Sequence, residues 1–285
     1  MKHSIITVAV LLALTLAVGA AAPAQQLDLP RVSPKATVSQ TVGLTDISIS
    51  YCRPGVKGRV IWGGLVPYNE VWRTGANEAT TITFSDPVTV NGNAVAAGTY
   101  GLFTLPGKDV WTVIINKGAK LWGAYEYKKE DDVLRFEVKP RAAAAPKEWM
   151  QFRFEALTND TTEVVLAWEN LEVPFTVKVE VTERVLAAAR KAIAEAKADD
   201  WRTPYRAAAF CIENGVNLEE AATWVEKSIT IKPGYYNLLS KAKLLAAKGK
   251  KAEAIDLAKK AIELGLAADP KADVVPAQKL MEDWK

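Results

Sequence analysis

The amino-acid sequence predicts an antiparallel β-sandwich over residues 30–182, followed by an α-helical, tetratricopeptide-like repeat array over 183–285. Three observations carry this. From about Ser33 to Val181 apolar residues alternate in short runs rich in Val, Ile, Thr and aromatics, which is the period of a half-buried strand. Roughly nine or ten such runs occur with no helical stretch between them, the pattern of a sandwich or barrel. Beyond Val181 the spacing becomes helical, and a weak internal repeat sets in.

The first 24 residues stand apart. Lys2 precedes an apolar run from Ile5 to about Val18, and Ala22-Pro23-Ala24 supplies a small-residue cleavage site before Gln25. That layout is a secretory signal peptide, and its apolar core is shorter than the roughly 20 residues of a membrane span. A mature chain of about 261 residues, periplasmic or secreted and without a membrane span, is expected.

In the first domain TDISISY puts Ile47, Ile49 and Tyr51 on one face, and TTITF, VWTVIIN and VLRFEV follow the same habit. WMQFRFEAL and PFTVKVEV close the region. Asn91-Gly92 marks a tight hairpin turn, because both residues tolerate positive φ, and Pro106-Gly107 marks another turn. LWGAYEYKKEDD, 121–132, does not alternate and is expected to form a loop or short helix. RAAAAPKE, 141–148, is expected to be an inserted loop, with Pro146 ending any helical turn its alanines begin.

In the second domain ARKAIAEA (189–196), VEKSITIK (225–232) and AKKAIELG (258–265) share an x-K-[AS]-I core. EEAATWVEKSI and AEAIDLAKKAI align with Ala221 on Ala254 and Trp224 on Leu257. The preceding helices align Ala209 with Ala242 and Ile212 with Leu245. Paired helices at a period near 34 resemble tetratricopeptide repeats, though the usual tryptophan and glycine–tyrosine signature of the first helix is missing. Such arrays present a concave surface to a protein or peptide partner. Trp201, Tyr205, Phe210, Trp224, Tyr235 and Tyr236 are core residues by default, and some are candidates for that surface.

Composition excludes several function classes. The one histidine is His3, so a mature chain has none. Ser-His-Asp and Cys-His catalysis and the usual zinc sites are thereby ruled out. A formal net charge of +3 gives no broad basis for holding nucleic acid. No motif calls for a metal or cofactor: Glu130-Asp131-Asp132 lacks the glycine-centred spacing of a calcium loop, and Gly107-Lys108 lacks the Ser/Thr of a phosphate loop. Cys52 and Cys211 fall in different domains and are expected to be free, buried thiols.

Chemistry-bearing side chains are densest in VPYNEVWRTGANEAT, 66–80. Three readings compete. Arg73 could fork to Glu78 or Glu70 while Asn77 holds loop backbone and Trp62 and Trp72 plug one end of the sandwich; irregular loops need such internal partners. Alternatively Tyr68, Trp72, Arg73, Asn77 and Glu78 form a saccharide- or peptide-binding cleft, aromatic faces stacking on rings while polar groups bond their edges. A third reading makes Glu70 and Glu78 the paired carboxylates of a glycan hydrolase. The structural reading is the simplest, and binding comes before catalysis.

RPGVKGRVIWGGLVPYNEVWRTGANEATTITF (53–84) and NGNAVAAGTYGLFTLPGKDVWTVIINK (91–117) together resemble the secreted bacterial family of unknown function DUF2911, over about residues 30–182. That family commonly has glycine where this chain has Asn69, a residue that also accepts a left-handed backbone. The resemblance implies a β-rich exported domain and carries no established reaction or ligand. The expectation is an exported, non-enzymatic binding or scaffold protein. Its β domain would hold a saccharide or peptide and its helical repeats would recruit a protein partner.

Overall fold

The computed structural model describes residues 29–285, so the signal-peptide reading lies outside the described residues. Ten strands form two antiparallel sheets. The six-stranded sheet has the order β1 (Lys35–Val42), β2 (Thr45–Cys52), β3 (Thr81–Phe84), β6 (Gly98–Leu105), β7 (Trp111–Asn116), β8 (Asp132–Val138). The four-stranded sheet runs β5 (Asn93–Val95), β4 (Val88–Val90), β10 (Thr161–Val179), β9 (Arg141–Glu155). Asn91 and Gly92, at φ 46° and 86°, join β4 to β5 with Val90 opposite Asn93, the tight turn their chemistry predicts.

The core lies between the sheets. Ile47 and Ile49 on β2, Ile82 and Phe84 on β3 and Val113 and Ile115 on β7 meet Val164, Leu166 and Val177 on β10, all almost fully buried. Burying each such side chain contributes about 1.5–3 kcal/mol, and the alternation of β2 follows from having one face inward. Phe103 and Ile114 point to the opposite face of the large sheet, where Leu121, Ala124 and Tyr127 cover them. Segment 121–132 is thus the expected loop, ending in a 3-10 turn at Lys129–Asp131, and it works as a lid on the sheet.

RAAAAPKE is not an inserted loop. It belongs to β9, whose register against β10 slips where Glu169 faces Lys147 and Leu171 faces Ala142. Five residues of β9 therefore span two of β10. The strand tolerates this because β9 is a sheet edge, and Pro146, which has no N–H to donate, is accommodated at edges and bulges.

Six helices follow: α1 (Thr182–Glu195), α2 (Arg202–Asn214), α3 (Leu218–Ile231), α4 (Tyr235–Ala247), α5 (Lys251–Ala268) and α6 (Val275–Asp283). The repeat is visible in their starts: α2 and α4 begin 33 residues apart at Arg202 and Tyr235, as do α3 and α5 at Leu218 and Lys251. Each pair is joined by three residues, with Gly215 in the left-handed conformation closing α2. Asn237, fully buried, holds the turn between the pairs. It donates to Ser228 Oγ and Lys232 O, both at 2.9 Å, and accepts from Gly234 N–H, also at 2.9 Å. Gly265 on α5 is buried against the Tyr235 ring, where an added Cβ would come within 3.1 Å. Phe210 and Trp224 go to the array's core as their default reading has it.

The two domains meet at the start of α1. Arg184 bonds Asp86 Oδ2 at 2.9 Å and Thr45 Oγ1 at 3.0 Å, and Val181 packs on the sandwich core. Cys52 and Cys211 are free and buried. Among the described residues no helix is long and apolar enough to cross a membrane.

Candidate ligand cleft

Residues 53–80 connect β2 to β3 without a regular strand, and β6 organises them. β3 covers β6 only as far as Gly101. Beyond it the loop supplies the missing ladder partners: Leu102 N–H donates to Thr80 O at 2.8 Å, Thr104 N–H to Trp72 O at 2.9 Å, and Trp72 N–H to Thr104 O at 2.7 Å. Asn69 N–H donates to Pro106 O at 2.8 Å, with Asn69 at φ 62°, the left-handed conformation anticipated for it. Thr74 is buried at φ 55°, a costly conformation for a β-branched residue. Its hydroxyl lies 3.1 Å from that of Thr104, and its carbonyl accepts from Thr80 Oγ1 at 2.7 Å. The loop is rigidly tied.

Four tryptophans gather behind it. Trp72 stacks on Trp168 with centroids 5.9 Å apart and planes 20° from parallel, while Trp62 meets Trp72, Trp111 and Trp168 edge to face. Trp72 Nε1–H donates to Gly75 O at 3.1 Å. The indole nitrogens of Trp62, Trp111 and Trp168 are buried without an acceptor. Trp72 and Trp168 form part of the wall of a cleft of about 260 Å³, together with Arg73, Lys57, Arg59 and Leu65.

A neighbouring cleft of about 180 Å³ holds Glu78, Cys52, Lys35 and Lys120. Here Arg31 Nη1 bridges both oxygens of Glu78 at 2.8 and 2.9 Å, and Cys52 Sγ–H donates to Glu78 Oε2 at 3.3 Å. Hydrogen bonding from Arg31, more than any other influence, lowers the Glu78 carboxyl from 4.5 to about 2.

The five candidate binding residues are therefore distributed. Trp72 and Arg73 line the larger cleft and Glu78 the smaller. Asn77 fastens the loop, donating weakly to Ser33 O at 3.4 Å and accepting from Gly123 N–H at 3.1 Å. Tyr68 is half-buried against Gly63. The expected fork from Arg73 to Glu78 or Glu70 is absent among the described residues. Arg31 takes Glu78, and Glu70 is exposed with no side-chain hydrogen bond or ion pair among those residues. Glu70 lines neither cleft, while Glu78 lines the smaller one and is held ionised by Arg31, so the two carboxylates are not brought into one cleft. Sequence reasoning missed Arg31, Lys57, Arg59 and Trp168. Lys57 and Arg59 stand in the quoted RPGVKGR stretch, whereas nothing local marks Trp168.

Among the described residues no group of three or more His, Cys, Asp or Glu is placed to hold a metal. The fold and cleft define a β-sandwich with a tryptophan-walled loop and an appended helical array. The family described as protein of unknown function (DUF2911) matches residues 33–177, and the chain belongs to that family. The match ends before the helices. No curated protein and no solved structure matches the chain.

Proposed function

We propose that this is an exported, non-enzymatic binding protein whose helical array takes an extended segment of a partner protein and whose β domain holds a small ligand beside Trp72 and Arg73. The observation that supports it best is a groove of about 950 Å³ along the array. Trp201, Tyr205, Tyr236 and Tyr235 form a continuous aromatic ladder there, with successive centroids 6.0, 6.1 and 5.2 Å apart. Tyr236 is 59% exposed, whereas the other aromatic rings of the helical array are partly or fully covered. Aromatic rings bind polypeptide well because they supply wide apolar contact at low conformational cost. Tyrosine hydroxyls are protonated donors at neutral pH, and burial raises those of Tyr205 and Tyr235 further. Lys232 and Lys243 beside Asp269 and Asp273 give the groove mixed charge, suited to a polypeptide and not to a polyanion.

Panning a random peptide library on the full chain tests this. Wild type should enrich a family of peptides, and the Tyr205→Ala/Tyr236→Ala double variant should lose them while remaining folded. Repeated panning without enrichment would contradict the reading. Export carries its own check: the protein recovered outside the cytoplasm should begin at Gln25 by mass.

A further inference from the structure

We propose that the cleft beside Trp72 is an anion site, taking a carboxylate or phosphate carried on a single small ring, with Arg73 as the principal ligand. The proposal rests on the reading of that cleft as a ligand site and gives the ligand its charge.

The charged residues lining the cleft are Lys57, Arg59 and Arg73, and no carboxylate lines it. Arg73 is the key. Every other described arginine of the β domain donates to a carboxylate or a carbonyl: Arg31 to Glu78, Arg53 to Met150 O, Arg59 to Gly55 O, Arg135 to Asp132, and Arg141 and Arg153 to Glu172. Arg73 has no such partner among the described residues. It is half-buried, and its Nε is enclosed with no acceptor. A guanidinium cannot relieve this by losing its proton, and an enclosed N–H without an acceptor carries its own desolvation cost. The nearby carboxylate of Glu148 is engaged elsewhere: it accepts Lys57 N–H at 3.0 Å and makes no ion pair with Lys57, Arg59 or Arg73.

Trp168 backs the same cleft. Trp168 is 1% exposed, lines the cavity, and its Nε1–H has no acceptor. Arg73, Lys57 and Arg59, with no carboxylate among the lining residues, give the cleft a cationic lining complementary to oxyanions. Trp72, stacked on Trp168 and itself only partly covered, supplies apolar surface for the ring that carries the charge. The volume of about 260 Å³ falls just below the roughly 300–1,000 Å³ of pockets for drug-sized ligands, which fits one ring and not a polymer.

Titration calorimetry of the full chain with glucuronate, glucose 6-phosphate and neutral glucose tests the proposal. Binding of either or both acids, weakened by added salt, is expected, and which acid binds identifies the source as carboxylate or phosphate. Arg73→Met should weaken that binding by about tenfold or more, and Lys57→Gln/Arg59→Gln, at the exposed lip, should weaken it less. The ligand-free protein offers a second readout. If Arg73 is an uncompensated charge, Arg73→Met keeps or raises the melting temperature; if it is a structural tether, the same change lowers it and overturns the proposal. Glucose binding as tightly as the acids, unaffected by Arg73→Met, would overturn the anion assignment while leaving a ligand cleft. Failure of all three probes to bind would overturn both.

Discussion

Glu78 is the clearest case of an assignment decided by one contact. Its carboxyl falls to about 2 chiefly through the Arg31 hydrogen bond, so the folded state favours the ionised form. The sign follows directly: this contribution is fully present above the ordinary carboxylate value near 4.5 and fades as pH falls through that value towards 2. Both side chains are well exposed, at 49% and 39%, so solvent screens the pair and its contribution to stability is small. Arg31→Ala should move the Glu78 titration upward, followed by carboxyl NMR, and flatten the acid limb of stability. An unmoved titration would remove Arg31 as the cause. Asn69 and Asn91 were legible in the sequence because a left-handed backbone is a property of the residue itself. The Arg31–Glu78 pair was not, since its members lie 47 residues apart and Arg73 stood closer in sequence as a plausible donor.

At the scale of elements, the hydrophobic period identified both sandwich strands and helices, because burial of one face imposes it wherever the structure is regular. It failed where regularity ends. RAAAAPKE has no alternation to read, yet it continues β9 as an irregular edge, since the long β10 offers it hydrogen-bond partners. In the loop over 66–80 the sequence shows only a density of chemistry-bearing side chains, read first as internal partners of an irregular loop, and its backbone role along β6 is not legible there. Trp72 joins the two: its main chain completes the β6 ladder and its ring closes the tryptophan cluster. Removing the ring should therefore loosen the ladder. Trp72→Ala is expected to speed amide exchange at Thr104 by about tenfold or more, with less change on β2, whose amides are held by its own pairing with β1 and β3. Equal protection at Thr104 in both proteins would detach the cluster from the strand.

At the scale of the molecule, the change of period just past Val181 coincides with a change of core. The sandwich core is built from both sheets, while Leu186 and Ile193 of α1 join Ala208, Trp224 and Val225 in a separate cluster. Arg184 ties the two domains by polar contacts to Asp86 and Thr45, a small link beside either core. Repeat arrays gain their stability from neighbour-to-neighbour packing, and α1 through α6 supply it among themselves. Both proposed binding surfaces, the Arg73 cleft and the aromatic groove, are therefore predicted to sit on units that fold on their own. Far-ultraviolet circular dichroism of the isolated 183–285 segment during heating tests this most directly. A helical spectrum with a cooperative melt is predicted, and a coil or sheet spectrum would contradict the account.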